Sequence, residues 1–233
     1  LTRKECLVVD VLMVLTSHGR LPDDGGGCGL SFDQFLGPYY LFVTAGIDVA
    51  LASPRGGPPP LDPGMDQREA DPVLAARFRG DHAARDLLAD TLKLSQVAPE
   101  DFAAVLYPGG LGALFDLPTD PVSQALIEAF ARAGRPMGFI GHAPAVLAGL
   151  RRPDGAPFVA GRRLTALSDR EGWGTGAAPA PAWSAEQVLR GLEADYGCGP
   201  EGRPHVVRDG LLVTGQNTAS APGVARELMT LMG

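Results

Sequence analysis

The chain is predicted to be an α/β protein: a doubly wound, mostly parallel sheet with helices on both faces. Three observations carry this. Apolar runs of strand length alternate with segments of helical period along the 233 residues. In PMGFIGHAPAVL, residues 136–147, a buried strand runs into a sharp turn and then a helix, with Gly141 and His142 at the turn. Late in the chain, Asp209-Gly210 reads as the tight turn of a hairpin between 206–208 and 211–214.

The elements follow in order. Residues 8–16 are the first strand, and 33–45 the following helix, which Gly46 ends as a C-terminal glycine does. Residues 47–52 return as a second strand. The segment SPRGGPPPLDPG, 53–64, holds too many turn formers for a regular element and is an ordered loop or lid, an insertion extending to about 70. Residues 71–94 are helical, with Leu74, Phe78, Leu87, Leu88 and Leu92 on the apolar side. Residues 103–107 form a strand, 122–133 a helix, 137–140 a strand, and 143–150 an elbow helix stopped by Pro153 or Gly155. The Ala, Gly and Pro excess around 172–182 reads as a mobile loop, and 221–232 as the last helix. One domain spanning 1–233 accommodates all of these.

Composition excludes several classes. Apolar residues make up 45% and charged residues 20%, as in globular proteins. The longest apolar run, 6–15, is interrupted by Asp10 and falls short of the roughly 18 residues that cross a bilayer, so no membrane partner is expected. Arg3 and Lys4 precede it, but Glu5 and Asp10 break a signal-peptide pattern, leaving the cytoplasm as the expected compartment. Cys6, Cys28 and Cys198 are expected as reduced thiols, and neither they nor the four histidines have metal-ligand spacing. No metal and no cofactor are expected. A formal charge of −7 argues against a nucleic-acid partner, and the arginines of 151–163 read as solvated loop and helix ends.

Ligands of open α/β sheets lie beyond the carboxyl ends of the strands. Four segments fall there: 17–34, the PGGLG turn at 108–112, Gly141-His142, and TGQNTAS at 214–220. Together with GLSFDQFLGPYYLFVTAGIDVALASPRGG, LDPGM, LYPGGLGALFDLP, GHAPAVL, LTALSDREG and DGLLVTGQNTASA, they resemble the ThiJ/PfpI superfamily in order and spacing. That resemblance implies the flavodoxin-like, class I glutamine amidotransferase-like fold, and within it the branch of glutathione-independent glyoxalases and chaperone-like proteins.

The resemblance also exposes departures. Where the family elbow carries a nucleophilic cysteine, this chain has Gly141; where a glutamate serves the sulfur, it has Gln34; and the family's Pro-Gly-Gly-His-Gly has Leu111 in place of histidine. The bare Gly141 is expected to leave room for a ligand against the backbone amides, with Gly110 and Leu111 presenting N–H groups to a carbonyl or carboxylate oxygen. His142 either caps the elbow helix or acts on a ligand. Glu171 matches an acidic position of the family, although the next such position is Gly172, and it could pair with His142 in acid–base chemistry. Asp116 stabilises its own turn or reaches the pocket, Gln216 and Asn217 hold the last loop, and Cys28 in GGGCG is either a small buried residue or a relocated thiol.

These features lead to an expectation of a cofactor-independent enzyme acting on a small carbonyl or carboxylate metabolite by non-covalent acid–base chemistry, of lyase, hydratase or isomerase type. The alternative is a catalytically silent relative that binds a small molecule or a protein; cysteine-dependent glyoxalase, deglycase or protease activity is expected to be absent. A homodimer is expected by resemblance, with Phe35, Tyr39 and Tyr40 near its interface.

Overall fold

The computed structural model describes residues 9–21, 26–63, 71–173 and 183–233. In chain order the main elements are β1 (Val9–Val14), α1 (Phe32–Thr44), β2 (Val49–Ser53), α2 (Pro72–Gly80), α3 (His82–Ala89), β3 (Leu92–Lys93), β4 (Phe102–Tyr107), α4 (Pro121–Ala133), β5 (Met137–Ile140), β6 (Arg163–Leu164), α5 (Asp169–Trp173), α6 (Ala185–Gly191), β7 (Asp195–Tyr196), β8 (Val206–Asp209), β9 (Leu212–Gly215) and α7 (Ala221–Met232). Seven strands form one sheet in the order β3-β2-β1-β4-β5-β9-β8, parallel throughout except for the β8–β9 hairpin.

Strand alternation sorts the sheet's side chains into two cores. Val11, Met13 and Leu15 face Phe35, Phe42, Leu88, Val224 and Leu228 of α1, α3 and α7. Leu12, Val14, Val105 and Phe139 face Leu126, Ile127 and Phe130 of α4, Val146 and Leu147 beyond the elbow, and Leu189 of α6. Burial on both faces is why the central strands read as continuous apolar runs rather than alternating ones.

The helix expected over 71–94 is two helices and an edge strand. Gly80 and Asp81 divide it: Asp81 leaves the helical conformation, and its side chain accepts the Ala84 N–H at 3.0 Å, restarting the chain as α3. Leu92 pairs with Ala52 instead of continuing the apolar side. The elbow helix is a 3-10 helix, Ala143–Gly149, carrying Pro144 in its first turn. The loop after β2 is ordered over residues 53–63, where Gly57 bridges Thr91 and Leu61 bridges Leu30; the rest of the expected lid, and 174–182 of the expected mobile loop, lie outside the described residues. Phe35, Tyr39 and Tyr40 are buried within the chain, at 0%, 6% and 3% exposure, so they offer no surface for pairing. Tyr40 is covered from α2 and α3: its hydroxyl donates to Asp81 Oδ2 at 3.3 Å and the Arg77 guanidinium lies 3.9 Å over its ring.

Candidate functional site

The site is built at the carboxyl end of β5. Gly141 follows Ile140 with φ +62°, a left-handed conformation that glycine adopts without a Cβ penalty. Its N–H donates to the Gly215 carbonyl at 2.9 Å and its carbonyl accepts the Leu167 N–H at 2.8 Å, so β9 and the segment after β6 fix the turn from two sides. His142 then enters the 3-10 helix. It is only 7% exposed, and its Nδ1 is buried without a hydrogen-bond partner. Burial lowers its pKa from 6.5 to about 4, so the imidazole is neutral at physiological pH and can accept a proton or a hydrogen bond.

Gln34 reaches this turn from α1. Its amide lies against both Gly109 and Gly141: a Cβ at Gly141 would sit 2.6 Å from Gln34 Oε1 and 2.9 Å from Nε2. The space beside Gly141, expected to be open to a ligand, is therefore filled by the Gln34 amide, and the two glycines are what admit it. Nε2 donates to Thr218 Oγ1 at 3.3 Å, while Oε1 is buried without a donor. An unmet buried acceptor and an unmet buried imidazole nitrogen thus flank the same turn.

The PGGLG turn at the end of β4 is held by the first loop. Ser31 N–H donates to the Gly109 carbonyl and Gly112 N–H to the Gly29 carbonyl, both at 3.0 Å. Gly110, at φ +121°, is required here, since a Cβ would meet Gly29 and Ser31 backbone atoms. The N–H groups of Gly110 and Leu111 have no acceptor among the described residues, as expected where a helical turn begins, and stay available to an oxygen ligand.

Other expected residues turn out to hold the frame. Asp116 accepts from Thr16 Oγ1 at 2.8 Å, Ser17 N–H at 2.7 Å and Leu117 N–H at 2.8 Å, tying the end of β1 to the loop after β4; burial raises its pKa. Glu171 accepts from Gly202 N–H at 3.0 Å, Gln216 Nε2 at 2.7 Å and Asn217 Nδ2 at 2.9 Å, and no hydrogen bond joins it to His142. The acid–base pair expected of these two is thus not assembled; Glu171 anchors the last loop through Gln216 and Asn217. Cys28 is fully buried, and burial with the nearby Asp62 and Asp116 carboxylates pushes its thiol up to about 11. A thiol of that pKa is protonated at neutral pH and is no relocated nucleophile.

Sequence reasoning missed Thr16, Ser17, Arg55 and Thr218. Arg55 N–H donates to Ser17 Oγ at 3.1 Å and its guanidinium to the Ser17 carbonyl, so the loop after β2 clasps the loop after β1. Beside them His18 stacks on Phe115 at 4.9 Å, and Phe115 meets Trp183 at 5.3 Å. The sequence signal for this group was the position of its members just after β1, β2 and β9, because polar partners distant in sequence leave no periodicity.

The family model described as DJ-1/PfpI family matches residues 33–231. The chain belongs to the DJ-1/PfpI family. A glutathione-independent glyoxalase of Schizosaccharomyces pombe is 27% identical over 225 residues, covering 92% of this chain and 92% of the relative. Glyoxalase 3 of Candida albicans is 26% identical, covering 95% of this chain and 98% of its own length. Among solved structures, glyoxalase III from Candida albicans superposes with a TM-score of 0.82 at 24% identity over 97% of this chain and 98% of that one, a likeness of fold. Rapid Encystment Protein 24 KDa of Francisella tularensis gives a TM-score of 0.88 at 24% identity, covering 96% of this chain and 99% of that one.

These relatives correct one expectation. A reaction of lyase, hydratase or isomerase type outside glyoxalase chemistry does not stand against relatives that are matched over nearly their whole length and named glyoxalases. The expectation set three departures, at Gly141, Gln34 and Leu111, above the likeness of the rest of the chain.

Proposed function

We propose that the chain carries a glyoxalase-type activity, converting a small 2-oxoaldehyde into a 2-hydroxycarboxylate without glutathione. The observation that carries this reading is the near full-length match to glyoxalases of two yeasts, of which the Schizosaccharomyces pombe one is named glutathione-independent. It is supported by an elbow that keeps His142 neutral and by two unengaged N–H groups at Gly110 and Leu111.

Gly141 holds the place of the family's cysteine, so water rather than a thiol opens the reaction. The water oxygen bonds to the aldehyde carbon while the carbonyl oxygen takes up a proton, giving the hydrate. A base then removes the hydrogen on that carbon, and the freed electron pair forms the double bond of an enediolate. Reprotonation at the neighbouring carbon, with collapse of the hydrate carbon to a carboxyl group, gives the product. In this reading neutral His142 is the base, and the Gly110 and Leu111 N–H groups face the enediolate oxygen, where charge develops. The reading keeps the cytoplasm as the compartment, supported by three cysteines that cannot all pair within one chain.

The test follows 2-hydroxycarboxylate formation from methylglyoxal in the absence of glutathione, for the unaltered chain and for His142→Ala. The unaltered chain is expected to form product, and the variant to lose about 100-fold or more in kcat/KM. Methylglyoxal binding without product, or equal turnover by the two proteins, overturns the reading.

A further inference from the structure

At the far end of the 3-10 helix from the elbow lies a cavity of about 480 Å³, between the C-terminal half of α4 and the segment 150–162. Its lining is apolar at Ala131, Leu150, Pro153 and Phe158, and around these stand Arg132, Arg151, Arg152 and Arg162 with one carboxylate, Glu128. In a chain of net charge −7, four guanidiniums converging on one concavity are the opposite of the average surface.

The guanidiniums are only partly committed. Arg151 spends one nitrogen, Nη1, on the Ala148 and Leu150 carbonyls, at 2.8 and 2.9 Å. Arg162 donates Nε to the Phe158 carbonyl at 3.1 Å, stacks over the Phe158 ring at 4.5 Å, and stands 3.9 Å from Asp209. Arg152 donates Nη1 to the Ala160 carbonyl at 3.4 Å, while its Nε is buried without a hydrogen-bond partner, 3.5 Å from Asp154. Arg132 has no hydrogen bond or ion pair with any described residue. Each guanidinium has five N–H donors in a fork that matches phosphate oxygens, so the rim retains donors in excess of what the fold uses. The volume falls in the range of small-molecule sites, too large for a bare anion and suited to one with an organic body.

We propose that this cavity binds a small phosphate monoester, its phosphate on the arginine rim and its apolar or planar body on Leu150, Pro153 and Phe158. The site is separate from the elbow and does not depend on the reaction assigned there.

Titration calorimetry on the full chain tests this with three probes: adenosine monophosphate, inorganic phosphate and adenosine. Adenosine monophosphate is expected to saturate at one per chain, more tightly than phosphate, with affinity falling as salt is raised. Arg132→Gln with Arg152→Gln should weaken it by about 10-fold or more while far-ultraviolet circular dichroism stays unchanged. Phe158→Ala should weaken adenosine monophosphate but not phosphate. Absence of saturable binding, or equal affinity in the double arginine variant, overturns the site; equal affinity for phosphate and the monophosphate, or no effect of Phe158→Ala, overturns the place given to the organic body.

Discussion

His142 and Gly141 illustrate how much a single position depends on what surrounds it. Because burial lowers the His142 pKa to about 4, the native protein stays neutral there between pH 6.5 and 4 while the unfolded chain takes up a proton. Stability should therefore fall as the pH drops through that window and level off below it, by roughly 3 kcal/mol in all. A His142→Asn variant should lose this component, which urea denaturation across the pH range will show as a flatter profile; an unchanged slope would place the titration elsewhere. At Gly141, a cysteine would have to adopt φ +62° and displace the Gln34 amide. Gly141→Cys should cost about 1–2 kcal/mol, and combining it with Gln34→Ala should cost less than the sum of the two changes. Strict additivity would mean that the amide does not occupy that space. Cys28, with its thiol near 11, should resist iodoacetamide in the folded state while the exposed Cys198 reacts, as peptide mass analysis will resolve.

Elements owe their bounds to a few capping residues. Asp120 accepts from the Val122 and Ser123 N–H groups at 2.8 Å, Pro121 stands in the first turn, and Gly134 closes α4 at φ +63°. Replacing Asp120 with alanine should lower stability by about 1 kcal/mol, measured as a shift in the denaturation midpoint without a change in slope. Asp81 acts likewise for α3, yet the apolar spacing of Leu74, Phe78, Leu87 and Leu88 ran across it and concealed the break. Periodicity reports which side is buried and is indifferent to a kink between two helices that bury the same side. The short β6 and β7 pair, of two residues each, is too brief to carry any period and was not anticipated.

Across the whole molecule, the sheet derives its cohesion from packing on both faces. Phe139 in β5 is fully buried and stacks on Tyr107 of β4 at 5.0 Å. Phe139→Ala should cost about 3–5 kcal/mol in equilibrium unfolding, and a loss below 1 kcal/mol would contradict that role. The alternation of strand and helix, the elbow at 141–142, the hairpin and α7 were all fixed by local pattern, because burial on both faces of a parallel sheet writes itself into contiguous apolar runs. What the site contains was not written there. That Gln34 fills the space beside Gly141, that Glu171 is taken up by Gln216 and Asn217 rather than His142, and that Phe35, Tyr39 and Tyr40 face inward each depend on groups brought together from distant parts of the chain. So does the convergence of Arg132 with Arg151, Arg152 and Arg162 on one cavity. The sequence determined which segments become strands and helices through local burial and turn chemistry; only the tertiary structure decided which side chains meet, because hydrogen bonding and space filling are properties of neighbours in space.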